Sequence, residues 1–182
     1  ELTQKCRELA KNLDAVSVRE TSGFDLCKEH FGIDATWVLD PTLLLDKEDY
    51  KKICLPKQVK EPYIFAYILD GNPVIKQRLG EEANRRNCRL IYKSADDSVE
   101  KSDSIEKWLS LIANAEMVFT DSFHGTIFSI IFERQFVTFV NKDRGSARFD
   151  TLRNMFNISD SIIDSSDALI QSEVAYTKIN NI

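Results

Sequence analysis

The sequence predicts an α/β fold built on a parallel β-sheet with helices on both faces. Segments of strand and helix character alternate along the chain, the candidate strands are short and apolar on both faces, and the connections between them are brief. Together these features describe buried strands under a covering of helices rather than an open antiparallel sheet.

Taken in order, residues 1–12 read as a helix with Leu2, Cys6, Leu9 and Leu13 on one stripe at spacings of three and four. Ala15 to Arg19 is a short β-branched run, expected as a buried strand. Thr21 or Ser22 can cap a helix reaching Phe31, and Gly32 stands where a helix end needs a left-handed residue. Thr36 to Leu39 is a second strand, ended by Asp40-Pro41-Thr42, where proline forbids helix at Asp40. Asp46 can cap a short helix through Ile53, and a break follows near residues 55–62.

Beyond Pro56 the pattern is cleaner. Strand Tyr63–Leu69 leads to a turn at Asp70-Gly71-Asn72, and Pro73 suits the first position of a charged helix running to about Arg86. Strand Arg89–Tyr92, a polar loop from Lys93 to Ser102, and a helix over 103–114 follow. Strand Glu116–Thr120 meets Asp121–Gly125, and the helix over 125–133 is apolar nearly all round, so it should be buried. Strand Phe136–Val140, a polar loop and a helix near 147–156 complete the regular part; one more helix and a loose tail are expected past 157. The division expected is a linking segment over 1–60 and a main α/β unit over 61–182.

The chain has 182 residues, 43% hydrophobic and 29% charged, with a net charge of −5. That length buries a core without metal or disulfides, and the acidic balance argues against a sequence-independent nucleic-acid binder. Cys6, Cys27, Cys54 and Cys88 match no metal spacing and form no Cys-x-x-Cys pair, so they are expected as thiols in or near apolar cores in a reducing compartment. No apolar run approaches the roughly 20 residues of a membrane span, and no signal peptide is visible. The chain opens on Glu1 in what reads as mid-helix, which raises the expectation of a missing amino-terminal part.

In open parallel sheets, ligands bind beyond the carboxyl ends of the strands. The residues that follow the candidate strands are Arg19-Glu20, Asp70-Gly71-Asn72, Asp121-Ser122-Phe123-His124-Gly125-Thr126 and Asn141-Lys142-Asp143-Arg144-Gly145, a chemically equipped edge. His124 and Gly125 at a strand-to-helix junction put an imidazole beside unpaired backbone N–H groups, which attract phosphate or carboxylate. Glycine at 125 removes a side chain that would keep an anion away, and Ser122 and Thr126 add hydroxyls. The alternative is that His124 only caps the helix and Gly125 only eases a turn. Arg19, at the end of a strand, can grip an anion in two-point contact, or it can pair internally with Glu20 or Asp40. Lys142, Arg144 and Arg148 form a second basic group, either ligand-facing or merely solvated. Asp40, Asp70 and Asp121 are candidate acids or bases. No glycine-rich dinucleotide loop, Walker loop, zinc-protease motif or nucleophile elbow occurs.

Val16-Ser17-Val18-Arg19-Glu20, Val38-Leu39-Asp40-Pro41-Thr42-Leu43-Leu44-Leu45, Tyr63–Leu69 and Thr120-Asp121-Ser122-Phe123-His124-Gly125-Thr126 follow one another in an order that resembles the polysaccharide pyruvyl transferase family, over about residues 13 to 150. The resemblance implies two Rossmann-like lobes facing across a cleft, the B-type glycosyltransferase arrangement, with this chain as the second lobe and part of the connection. It implies transfer of a pyruvyl group from phosphoenolpyruvate to a sugar of an exopolysaccharide or cell-surface glycan. The donor would be a substrate rather than a cofactor, and the acceptor a sugar or lipid-linked oligosaccharide. Carried over, Arg19 matches the arginine of the Ser-Val-Arg-Glu block, His124 the histidine before glycine, and Arg144 or Lys142 the following basic residue. Some relatives carry an arginine two residues before the histidine; here Ser122 stands there.

The catalytic set this implies is His124, Arg19 and Asp121, with Arg19, Ser122, His124, Gly125, Thr126, Lys142 and Arg144 around the donor. No metal, no nucleic acid and no integral membrane segment are expected, and the location is expected to be the cytoplasm or peripherally at the inner face of the membrane. Two rival readings stay open: a glycosyltransferase using a nucleotide-activated sugar, and a non-catalytic Rossmann-like module serving assembly.

Overall fold

The computed structural model describes residues 1–71, 73–94, 103–140 and 146–163. Five strands form one wholly parallel sheet: β3 (Tyr63–Ile68), β4 (Arg89–Ser94), β5 (Met117–Thr120), β6 (Gln135–Phe139) and β7 (Ile162–Ile163), in the spatial order β4-β3-β5-β6-β7. The chain steps outward from β3 to β4, then returns to the other side of β3 to lay down β5, β6 and β7. The order therefore reverses between β3 and β5, which is the topological switch point of a Rossmann-like, doubly wound sheet.

Alternation of side chains along the strands divides the interior into two cores. On one face Tyr63, Phe65, Val118 and Phe136 pack under α5 (Ile105–Ala113), α6 (Phe123–Ile131) and α7 (Ala147–Phe156). On the other, Ile64, Ala66, Met117 and Phe119 meet Ile75, Leu79 and Ala83 of α4 (Pro73–Arg85). β3 is buried on both sides, with Ile64, Phe65 and Ala66 at 0% exposure, which is why its sequence is an unbroken apolar run. The helices start where capping chemistry lets them: Ser104 accepts from the Lys107 N–H ahead of α5, and Pro73 opens α4.

The first sixty residues build differently. α1 (Leu2–Ala10) buries none of its residues, so its apolar stripe lies on the surface. Strand β1 (Ser17–Val18) pairs in parallel with β2 (Thr36–Trp37) as a separate two-stranded sheet. The buried strand expected over Ala15–Arg19 is thus short and partly exposed, with Trp37 on its partner strand 44% exposed. Between them α2 (Thr21–Leu26) runs into a widened π-type turn, Cys27–Phe31, and Gly32 closes it at φ 68°, the left-handed value glycine adopts without strain.

Residues 41–59 return to the large sheet. After the 3-10 turn Pro41–Leu44, Asp46 accepts from the Glu48 and Asp49 N–H groups and starts α3 (Lys47–Lys51). The Tyr50 ring stands edge-on to Phe128 at 4.9 Å, and its hydroxyl donates to the Thr42 carbonyl. Leu43, Cys54 and Val59 join the same core, and Lys47 pairs with Glu133.

Two expectations need correction. α6 begins at Phe123 rather than 125, so His124 lies in its first turn. Past 157 the described residues supply a 3-10 turn, Ser159–Ser161, and the edge strand β7; the helix and tail expected beyond them lie outside the described residues. Cys6 is exposed rather than in or near a core, because α1 buries nothing, while Cys27 is buried, Cys54 and Cys88 are half-buried, and all four are free thiols.

Candidate functional site

The carboxyl ends of the two sheets approach each other, and side chains from four connections meet there. Arg19 leaves the end of β1 and Glu20 follows it. Asp40 comes three residues after β2, at the head of the 3-10 turn. Phe123 and His124 form the first turn of α6 beyond β5, and Arg148 lies in the first turn of α7 beyond β6.

Asp40 ties these pieces together. Its carboxylate is almost fully buried, at 3% side-chain exposure, and accepts from both the N–H and the hydroxyl of Thr42. Its other oxygen, Oδ2, takes a hydrogen bond from Arg19 Nη1 and lies 4.0 Å from His124 Nε2. Burial by itself would raise the Asp40 pKa. The Thr42 hydroxyl, the Thr42 amide and the Arg19 guanidinium together outweigh that and hold it below 3.8. Asp40 is therefore ionised at neutral pH.

His124 is half-exposed, with 47% of its side chain open to solvent. Burial of the other half pushes its pKa below 6.5; Asp40 pulls it up, and the charges of Arg19 and Arg148 push it down again. The ligand-free imidazole is thus mainly neutral at pH 7, able to take up a proton once an anion arrives. Phe123 is the floor of the site. The Arg19 guanidinium carbon lies 5.3 Å from its ring centroid and that of Arg148 5.1 Å, while the His124 ring stands edge-on at 5.6 Å.

The start of α6 is organised from within. The Ser122 hydroxyl accepts from the Gly125 N–H at 3.3 Å, so Ser122 is the N-cap, and the first-turn amides left unused by that cap belong to Phe123 and His124. A Cβ on Gly125 would sit 2.5 Å from Thr120 Oγ1, so the glycine lets α6 approach β5. Thr126 is 0% exposed, and its hydroxyl donates to the Ser122 carbonyl and meets the Thr138 hydroxyl.

The sequence-derived site divides accordingly. Arg19 and His124 come together, around Asp40. Ser122, Gly125 and Thr126 build the helix start: the serine hydroxyl accepts from the Gly125 N–H, the glycine's missing side chain makes room for Thr120, and the threonine hydroxyl bonds within the fold. Asp121 is likewise committed. Its two oxygens accept from the Leu69 and Asp70 N–H groups and so clamp the ends of β3 and β5 across the switch point. Burial raises its pKa and the two amides oppose the rise. Lys142 and Arg144 lie outside the described residues. The internal pairing of Arg19 with Asp40, one of the two alternatives the sequence offered, is present; the approach of the same carboxylate to His124 is not foreseen in the sequence, because an aspartate before proline reads as a turn residue. That reading is also true, since one oxygen caps the turn while the other faces the site.

The family model of polysaccharide pyruvyl transferase matches residues 1–143, which takes in Arg19, Asp40, Phe123 and His124. The chain belongs to the polysaccharide pyruvyl transferase family. No curated protein matches it. As a polysaccharide pyruvyl transferase family member it is of a transferase family whose acceptor is a sugar. The described part of this polysaccharide pyruvyl transferase family member contains no group of three or more His, Cys, Asp or Glu side chains able to hold a metal ion. Nor is any described helix long and apolar enough to cross a membrane.

Proposed function

We propose that this site binds phosphoenolpyruvate and transfers its pyruvyl group to two hydroxyls of one sugar in an exopolysaccharide or cell-surface glycan, forming a ketal and releasing phosphate. The observation that supports the reading is the joining of Arg19 and His124 through one buried carboxylate, Asp40, at the carboxyl edge of a parallel sheet. An arginine fork, a near-neutral imidazole and a helix start are what a small phosphorylated carboxylate needs.

In the first step a sugar hydroxyl oxygen bonds to the central carbon of the donor while the proton that this hydroxyl gives up is delivered to the methylene carbon, which becomes methyl. In the second, the bond from the central carbon to the phosphate oxygen breaks. The second hydroxyl oxygen takes that place, and its proton leaves with the phosphate. His124, neutral before the donor binds, accepts the proton of the second hydroxyl and passes it to the leaving phosphate. Asp40, whose carboxylate lies 4.0 Å from the imidazole, stabilises it when it is charged. Arg19 and the α6 amides offset the growing phosphate charge.

The acceptor and the facing wall of the cleft are assigned to a second lobe of the same protein. The 182-residue chain is accordingly expected to bind the donor weakly and not to turn over. Use of a cytoplasmic metabolite as donor puts the reaction in the cytoplasm or peripherally at the inner face of the membrane.

The test is phosphate release by the full-length enzyme from phosphoenolpyruvate and candidate glycans, beside the variant His124→Ala. Loss of a positioned general base lowers such rates by about 100- to 10,000-fold, and a drop of that size is the expected result. Release at the wild-type rate by the variant, or binding of a nucleotide sugar in place of phosphoenolpyruvate, would remove the proposal.

A further inference from the structure

A guanidinium grips an anion in two-point contact only when its plane points at that anion. Among the described residues Arg19 donates one hydrogen bond, from Nη1 to Asp40. A bond at one nitrogen fixes one point of the guanidinium and leaves its plane to turn about that point. The second contact is with a ring: the guanidinium carbon stands over Phe123, 5.3 Å from the centroid. A planar cation over an aromatic face is attracted by the ring's quadrupole and stacks against it.

Phe123 is suited to set that plane because it is itself held. It is 7% exposed in the core beneath α6, and Phe149 of α7 stands edge-on to it at 5.9 Å. It is also the first residue of α6, directly before His124, whose ring is edge-on to it at 5.6 Å. Arg19 and Asp40 both come from the amino-terminal sixty residues, where β1 and β2 form a sheet of their own. Their mutual bond therefore does not fix where Arg19 lies relative to α6. The approach of Asp40 Oδ2 to His124 Nε2, at 4.0 Å, is beyond hydrogen-bond length. The Phe123 ring is the contact that registers the arginine against the imidazole.

On the donor reading given above, we infer that Phe123 is a positioning residue for Arg19: its ring sets the plane of the guanidinium, and so the direction of the two-point grip on the donor, beside His124. An aliphatic side chain of similar bulk would fill the same space and close the same core, but it has no π face to orient a cation. What matters at position 123 is therefore aromatic character and not burial alone. Arg148 stands against the same ring at 5.1 Å and beside Glu20 at 3.7 Å, so a test of the Arg19 contact has to keep Arg148 unchanged.

The test is a double-mutant cycle in the full-length enzyme: wild type, Phe123→Leu, Arg19→Lys and the two together. Phosphoenolpyruvate binding is read by calorimetry, kcat/KM by phosphate release, and thermal unfolding is recorded for each protein. Arg148 is present in all four, so its contribution cancels. With Arg19 in place, Phe123→Leu is expected to lower kcat/KM by roughly 3- to 30-fold, the range of a partly desolvated cation–π contact. With lysine at 19, a point charge that has no plane to orient, the same change should stay within about twofold. A merely structural role would lower kcat/KM alike in both backgrounds, in step with the melting temperature. Equal losses in the two backgrounds, or no loss in either, overturn the inference. If the leucine variant does not fold, Phe123→Met, whose flexible chain fills the gap without a ring, enters the same cycle and decides it. Wild-type enzyme that binds no phosphoenolpyruvate would instead overturn the donor reading, and this inference with it.

Discussion

Replacing Asp40 by asparagine keeps the shape of the side chain and removes its charge, so the effects on each neighbour can be separated. The Thr42 amide retains an acceptor, whereas Arg19 and His124 lose a carboxylate. Loss of charged hydrogen bonds at a buried acceptor is expected to cost about 1–3 kcal/mol of stability. That contribution has a defined pH window. The folded pKa of Asp40 lies below 3.8, so its stabilisation is complete above about pH 4 and fades as pH falls through the folded value. Wild type and Asp40→Asn should therefore converge in stability under strong acid. The pH dependence of kcat/KM carries a second sign: Asp40 raises the His124 pKa, so the variant's acid limb should move to lower pH. Ionisation of the donor is common to both enzymes, and the difference between profiles reports the imidazole. An acid limb that stays put or moves upward would remove Asp40 from the role of charge partner. At this scale the sequence shows Arg19 and His124 by type and position and offers Asp40 as a partner of Arg19, whereas the approach of Asp40 to His124 hides behind a turn signature that is itself correct.

At the scale of the element, α6 decides how the site is presented. In an exposed helix interior, glycine to alanine stabilises by roughly 1 kcal/mol. At Gly125 the sign should reverse, because the added methyl would lie 2.5 Å from Thr120 Oγ1 and 3.1 Å from Thr120 Cβ. Thr120 cannot turn away freely: its hydroxyl donates to the Tyr67 carbonyl and accepts from the Ser122 N–H. Gly125→Ala is expected to destabilise by about 1–3 kcal/mol, read as a fall in melting temperature, and to weaken donor binding by shifting His124. An unchanged melting temperature would show that α6 moves away from β5 at no cost. The run Thr120–Thr126 marks a strand-to-helix junction in the sequence. Its inward geometry is not legible there, because a serine or threonine hydroxyl facing a ligand and one capping a helix occupy the same positions. Strand β7 escaped for a related reason. Ile162–Ile163 is two residues long in a polar stretch, and pairing with β6 rather than any local pattern makes it a strand.

For the whole molecule, surface apolarity is unevenly shared. Among the described residues, eleven of the thirteen exposed large hydrophobics fall within residues 2–53, so residues 61–163 have a closed core while the amino-terminal third does not. The sequence stripe on α1 illustrates how periodicity misleads: it specifies an amphipathic helix, and the helix forms, but spacing says nothing about whether a partner face exists within the chain. Leu2, Leu9 and Leu13 are 79%, 60% and 61% exposed. Replacing all three by glutamate should therefore leave folding stability within about 0.5 kcal/mol per site, because almost no burial is lost. It should also reduce concentration-dependent self-association of the 182-residue chain, since an apolar stripe of this kind is a ready contact between copies. Sedimentation velocity across a concentration series, set beside thermal unfolding, separates the two effects. A melting temperature that falls by several degrees would mean that the stripe is buried against this chain in solution, and the exposed face of α1 would then be wrong.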